Sequence, residues 1–409
     1  ICTCFKYAIP KSTQYDRGAI MRKKIVAFTA IRSEYDLLSG LYKLLNEDPD
    51  VELKIVVSGA HLSKTYGYSV TDIESDGLEI LARIETLIDS DSKASRIKSG
   101  AILLHNSVDI VANYNPDLII YAGDREEVII ASLIGGYLEI PTMHFFGGDH
   151  VKDSHIDNPI RHATSKLSTI HMVSHKEHAQ RLIRMGESED RVYNIGSIAL
   201  DKFINESTRS KNEIRKYFKI NYGFDSFAVV IFHPIPKERD FSADIFENIL
   251  LSLKERNIYA FVSYPNIDPG NREIIKIIDK YQNDVNFLFY RNQPRSIFIS
   301  IYKNATFIIG NSSSGILESA SIPIPAINVG YRQTGRLANE NVVFANGEIS
   351  SIVGAIDKVQ SKEYEKIIKN VKNIYGDGHS SEKALNIIKN NDFNSLIFKD
   401  EDILENASQ

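Results

Sequence analysis

Ile308-Ile309-Gly310-Asn311-Ser312-Ser313-Ser314-Gly315-Ile316-Leu317-Glu318 is the stretch whose reading decides the fold. It reads as a strand that ends in Gly-Asn, a run of three serines, and a helix with a glutamate in its first turn. Unpaired N–H groups and the macrodipole make a helix start favourable for an anion, so a diphosphate is one natural guest. Ser and Asn are also the preferred N-cap residues of any helix, so the junction reads equally well as ordinary capping. The surrounding chain has to decide.

Working outward, short apolar runs alternate with longer mixed segments, the pattern of βαβ units and a parallel sheet. Strands are expected at 24–30, 53–58, 118–123, 142–146, 170–174 and 192–195, and again at 227–232, 260–263, 286–289, 306–309, 326–328 and 342–344. Continuous runs such as Ala228-Val229-Val230-Ile231-Phe232 suit strands covered on both faces. The expected fold is α/β, with two Rossmann-like domains whose parallel sheets face each other across a cleft. A polar stretch between Asp201 and Gly223 places the hinge, with a helix at 212–218 leading into the second half. The expected organisation is 1–20 as a leader or non-native extension, 21–203 and 204–375 as the two domains, and 376–409 as a C-terminal helix and tail that cross back. Residues 1–20 lack a signal peptide's apolar core, and Met21-Arg22-Lys23-Lys24 reads as a start before the first strand.

The 409 residues are 43% hydrophobic and 25% charged, enough apolar material for two cores. A net charge of −5 argues against a nucleic-acid or anionic-membrane partner. No apolar run is long enough for a transmembrane helix. The two cysteines, Cys2 and Cys4, leave the rest of the chain without a thiol, which fits a cytoplasmic location.

In open α/β sheets ligands sit beyond the carboxyl ends of the strands. Those ends carry Arg32, His61, Gly123-Asp124-Arg125, Gly147-Gly148-Asp149, His233-Pro234 and Asn266, besides the serines. Asp124 reads either as a carboxylate on the cleft floor or as the cap of the helix through Val128. Residues 156–167 read as a helix with Pro159 in its first turn, and Asp157 and Arg161 are spaced to meet on one face. His144, His150, His155, His162 and His171 lack a HExxH pattern or cysteine partners, so no metal is expected. His233 is the best single acid/base candidate, because imidazole titrates near neutral pH.

The serine run, together with Asn328-Val329-Gly330-Tyr331-Arg332-Gln333-Thr334-Gly335-Arg336, resembles the UDP-binding signature of UDP-N-acetylglucosamine 2-epimerases. More narrowly it is similar to the hydrolysing branch, which releases UDP and makes N-acetylmannosamine for sialic-acid synthesis. Arg32 with Tyr35, Gly59 to His61, Gly123-Asp124-Arg125, Ile156-Asp157 with Arg161-His162, Tyr264-Pro265-Asn266-Ile267-Asp268, His233-Pro234 and Gly376-Asp377-Gly378 match in the same order, over residues 22–390. The resemblance implies that Ser312, Ser313, Ser314 and Arg125 face the diphosphate, that Glu318 takes the ribose, and that Arg32, His233, Asn266 and Arg332 complete UDP binding. It implies His61, Asp157 and Arg161 on the sugar side. The proton carriers are expected to be Asp124 and Asp157, with Asp149 behind them and Arg161 and His233 in support, without cofactor or metal. A nucleotide sugar is the expected partner, and a homodimer the expected assembly.

One departure falls where the sugar is expected. The family places an acidic residue or histidine before the Gly-Gly pair, and here that position is Phe146, followed by a longer loop from Gly148 to Asp157. Asp149, His150 or His155 then takes over a role, or the sugar differs, as with the 2,4-diacetamido-6-deoxy hexose used for legionaminic-type acids. A glycosyltransferase of the same two-domain shape and a nucleotide-sugar sensor are the other readings. A requirement for an acceptor separates the first from the epimerase, and the absence of turnover separates the second.

Overall fold

The computed structural model describes residues 22–402 apart from 89–92, 152–155, 221–223, 225, 266–269 and 292. Asn266, His155 and residues 1–20 therefore lie outside the described residues. Among these there are two parallel sheets, of seven and six strands. The first contains β1 (Lys23–Thr29), β2 (Val51–Ser58), β3 (Glu79–Ile84), β4 (Leu118–Ala122), β5 (Thr142–Phe145), β6 (Ile170–Val173) and β7 (Val192–Asn194), in the order β3-β2-β1-β4-β5-β6-β7. The second contains β8 (Phe227–Ile231), β9 (Tyr259–Ser263), β10 (Phe287–Tyr290), β11 (Phe307–Gly310), β12 (Ala326–Val329) and β13 (Val342–Ala345), in the order β10-β9-β8-β11-β12-β13. In both, the chain winds outward one way from the first strand and then reverses, the doubly wound Rossmann arrangement.

The middle of each sheet is buried on both faces because its strands there are continuous apolar runs, as in β4 (Leu118–Ala122) and β8 (Phe227–Ile231). On β1, Ile25 and Ala27 face a core shared with Leu38, Leu41, Tyr42 and Leu45 of the helix Arg32–Glu47, while Val26 and Phe28 face Leu103 and Val111 of the helix Lys93–Tyr114. On β8, Ala228 and Val230 pack against Phe246, Ile249 and Leu253 of the helix Ser242–Glu255, and Val229 and Ile231 against Ile297, Ile301 and Tyr302 of the helix Arg295–Asn304. Fully burying one such aliphatic or aromatic side chain is worth about 1.5–3 kcal/mol, so these faces dominate the stabilisation.

All twelve expected strands form, and a thirteenth, β3, was not expected. Its residues Glu-Ile-Leu-Ala-Arg-Ile carry charges at Glu79 and Arg83, and all but Ile84 are half-exposed or exposed at the sheet edge. The expected 212–218 helix is Lys211–Tyr217, started by a capping box in which Ser210 and Glu213 bond each other's backbone N–H. Near the end of the chain the helix Ser380–Asn390 returns to the first sheet, where Ala384 and Ile388 join its core. Asp201 fixes that return, its carboxylate accepting from the N–H groups of Ser380 and Ser381.

Candidate active site

The strand order reverses between β1 and β4 in the first sheet and between β8 and β11 in the second. Such reversals open a crevice at the carboxyl ends of the strands. Asp124 follows β4 at the first reversal, and the serine loop follows β11 at the second.

Asp124 does not cap the helix Glu126–Tyr137, whose N-cap residue is Arg125. Its Oδ2 accepts instead from Arg161 Nη2, on the helix Asp157–Leu167. Arg161 thus pairs with Asp124 rather than with Asp157, and its Nη1 also donates to the Asp149 carbonyl and to Asn158 Oδ1, each at 3.2 Å. Burial raises the Asp124 pKa, Arg161 pulls it down, and the Asp157 charge raises it again, with a net rise. Two carboxylates near enough to perturb each other, one gripped by an arginine, form a set able to hold and move a proton.

Behind Asp124, buried His144 ties β5 to its neighbours. Its Nε2 meets the Gly123 carbonyl at 2.8 Å and its Nδ1 meets Ser165 Oγ at 3.2 Å, so the ring fixes both the turn before Asp124 and the helix that carries Arg161. Phe146 adopts a left-handed backbone (φ 67°), and its ring packs on the core of the first sheet. The next loop passes so close to the helix Lys176–Arg184 that a Cβ on Gly148 would lie 2.3 Å from the His178 carbonyl oxygen, and only glycine fits. Asp149 is then fixed from three sides. Arg336 Nη2 donates to its Oδ2 at 2.9 Å, His178 Nε2 lies 3.4 Å from its Oδ1, and its carbonyl takes the bond from Arg161. Burial opposes its ionisation, but Arg336, His178 and Arg161 outweigh that and hold the carboxyl far below the usual range. An acid so firmly ionised is a poor proton carrier and a good anchor.

Across the cleft, Gly310 runs so close to β8 that a Cβ there would lie 2.0 Å from the Ile231 carbonyl oxygen. This brings Asn311, fully buried, against His233. Asn311 Oδ1 accepts from the His233 N–H at 2.8 Å and its Nδ2 donates to the His233 carbonyl at 2.7 Å. Arg332 Nη1 and Gln333 Nε2 both donate to the Asn311 carbonyl at 3.1 Å. Burial, assisted by the Arg332 charge, lowers the His233 pKa to about 4, which leaves the imidazole neutral at pH 7. Ser312 is the N-cap of the short helix Ser313–Leu317, its Oγ accepting from the Ser314 N–H.

Other expected site residues have partners of their own within the protein. Ser314 Oγ bonds Glu318 and donates to Tyr302 at 2.9 Å, so it and Glu318 are bound to each other, and burial raises the Glu318 pKa. Arg125 pairs with Glu127 at 3.1 Å and Glu126 at 3.6 Å and lines a cavity of about 200 Å³ in the first domain. His61 is fully buried, with Thr29 Oγ1 on Nε2 at 3.0 Å and Ser69 Oγ on Nδ1 at 2.8 Å, so both ring nitrogens are engaged inside the protein. Arg32 is exposed at its helix start, 3.6 Å from Asp72. Sequence reading gave no role to Asn311, His144, Gln333 or Arg336. Asn311 and Gln333 carried a signal, as polar groups beside apolar strands that burial would force to find partners.

A model of the UDP-N-acetylglucosamine 2-epimerase family matches residues 43–389. The chain belongs to this family. It is 31% identical over 372 residues to the UDP-N,N'-diacetylbacillosamine 2-epimerase (hydrolyzing) of Legionella pneumophila, covering 90% of this chain and 96% of that protein. It is also 31% identical over 348 residues to the GDP/UDP-N,N'-diacetylbacillosamine 2-epimerase (hydrolyzing) of Campylobacter jejuni, covering 84% and 89%. With the UDP-N-acetylglucosamine 2-epimerase of Neisseria meningitidis it shares 29% over 347 residues, covering 83% and 88%. Among solved structures, the UDP-GlcNAc 2-epimerase from Neisseria meningitidis bound to UDP-GlcNAc superposes with a TM-score of 0.71 at 18% identity, covering 90% of this chain and all of that one. This likeness shows that the two-sheet epimerase fold is shared. No helix among the described residues is long and apolar enough to cross a membrane.

Proposed function

We propose that this epimerase-family chain is a hydrolysing UDP-sugar 2-epimerase that converts UDP-N-acetylglucosamine and water into N-acetylmannosamine and UDP. The observation that carries the reading is the Asp124–Arg161 pair beside Asp157, set at one strand reversal while the serine loop and neutral His233 stand at the other. The C1–O bond to the diphosphate breaks, C1 gains positive character, and H-2 becomes acidic. One of Asp124 and Asp157 takes H-2, leaving a C1=C2 double bond and free UDP. Water then adds its oxygen to C1 while the other carboxyl group delivers its proton to the opposite face of C2 and, as the carboxylate, takes up the proton that the water gives up, and the configuration at C2 inverts. His233, Ser312, Ser313 and Arg332 receive the developing charge on the leaving diphosphate. Neutral His233 does so as a hydrogen-bond donor.

A second reading is favoured by the names of the two relatives at 31% identity, with the same reaction run on a UDP-2,4-diacetamido-2,4,6-trideoxyhexose. One experiment tests both. Each UDP-sugar is incubated in deuterated water and the product examined by NMR. Inverted C2 bearing one deuterium, formed without an acceptor, is the expected outcome, and the faster sugar is the substrate. Product that appears only with an acceptor alcohol would make the chain a glycosyltransferase, and no UDP from either sugar would end the proposal.

A further inference from the structure

The two halves of the candidate site are joined by a continuous chain of contacts. From Asn311, whose side chain grips His233, the carbonyl accepts from Gln333 Nε2 at 3.1 Å. Gln333 Oε1 accepts from Arg336 Nη1 at 3.1 Å, and Arg336 Nη2 crosses the cleft to Asp149 Oδ2 at 2.9 Å. The Asp149 carbonyl accepts from Arg161, which holds Asp124. Asn311, Gln333 and Arg161 are buried, Arg336 and Asp149 are only 13% and 16% exposed, and Asp124, at the end of the chain of contacts, is 25% exposed. Contacts this dry are weakly screened and geometrically demanding. Gln333 and Arg336 lie on one short loop after β12, so they shift together if the nucleotide end shifts.

We infer that Arg336 is a positioning residue that ties the nucleotide loop to the proton-transfer pair, through Asp149 and Arg161 to Asp124. It acts without touching the sugar. Its bond to Asp149 sets the loop that presents the Asp149 carbonyl, and that carbonyl fixes which way the Arg161 fork points. Asp149 thereby serves as the anchor of this link. The inference rests on the epimerase reading for its catalytic readout.

Four variants test it: Arg336→Met, Arg336→Lys, Asp149→Asn and the Met/Asn double variant. UDP affinity is measured by calorimetry, kcat by UDP release, and backbone opening at 157–167 by amide hydrogen exchange. Arg336→Met should bind UDP within about threefold of the parent and lose about 100-fold in kcat, the scale of a small misplacement of reacting groups. Exchange at 157–167 should quicken, and Arg336→Lys should recover part of both. The double variant should lose no more than the worse single one, because both break one link. A fall in UDP affinity that matches the fall in kcat would make Arg336 a nucleotide ligand, and additive losses would make Asp149 an independent proton carrier. Either overturns the inference. If the parent protein releases no UDP, the functional reading fails, while UDP binding and amide exchange still decide whether Arg336 couples the two ends.

Discussion

Asn311 and His233 hold each other by two bonds, the Asn311 side chain accepting from the His233 N–H at 2.8 Å and donating to the His233 carbonyl at 2.7 Å. The histidine therefore stands where the serine loop stands, since Asn311 is the residue that opens that loop. Sequence alone offered two readings of the loop, a cap and an anion site. The structure contains the cap, with Ser312 accepting from Ser314, and it also gathers neutral His233 and Arg332 beside it.

Replacing Asn311 follows from this geometry. Asn311→Ala removes both bonds that the Asn311 side chain makes to the His233 backbone, at about 0.5–1.5 kcal/mol for each bond lost. Thermal unfolding should shift down, and UDP affinity, read by calorimetry, should fall. Asn311→Asp keeps the acceptor but loses the donor and adds a negative charge to the loop proposed to hold the diphosphate, so it should bind UDP more weakly than its stability loss explains. Unchanged UDP affinity in both variants would separate the serine loop from nucleotide binding.

Twelve of the thirteen strands were legible because each is a short apolar run between polar segments, whereas the order in which they pair was not read from the sequence. β3 was missed because Glu79 and Arg83 leave it only a three-residue apolar run. The site was legible as a set of strand ends and illegible as a set of partners. Spacing alone pairs Asp157 with Arg161, one helical turn apart, yet the arginine donates to Asp124, just past the end of β4. Arg125 reads as a phosphate ligand beside Asp124, but Glu126 and Glu127, its next two neighbours, retain it. Nothing local foretells Arg336 meeting Asp149, since the contact exists only once two separately folded sheets face each other.

Glu34 makes a pH prediction. It is buried in the first turn of the helix Arg32–Glu47, where its Oε2 accepts from the Ala30 N–H at 3.2 Å. Burial first, then the nearby Glu127 charge, push its pKa up to about 8, against the opposing pull of backbone N–H bonds and Arg125. The unfolded group titrates near 4.5, so between there and about pH 8 the folded protein holds a proton that unfolding releases. Its contribution is fully present below the unfolded value and is lost as pH rises through that window. Glu34→Gln stays neutral throughout. Its melting temperature relative to the parent should rise steadily from pH 5 to pH 8.5, by about 2–4 °C for each kcal/mol recovered. A difference that stays flat across that range would show that Glu34 ionises normally.

The end of the chain supports the same helix that carries Arg161. Lys399 Nζ donates to the Ser165 and Lys166 carbonyls at 3.2 and 3.1 Å, the last turn of Asp157–Leu167, and pairs with Glu187 at 2.5 Å. A cation at a helix C-terminus satisfies orphan carbonyls and the negative end of the dipole together. Glu187 also bonds His171 at 2.8 Å and Lys166 at 2.7 Å, and these partners hold its carboxyl down at about 2 despite burial. Lys399→Met therefore removes one of three partners and should cost about 1–3 kcal/mol, with faster amide exchange confined to the last turn of the helix. Deleting residues 394–402 should cost more. Arg191, almost fully buried, would lose Glu401 and the carbonyls of Leu396 and Phe398 in one step, besides the Lys399 bonds to the helix. Chemical denaturation of both variants checks the order. If the deletion is no worse than Lys399→Met, then Arg191 does not depend on the tail, and the helix that carries Arg161 is held by its own sheet alone.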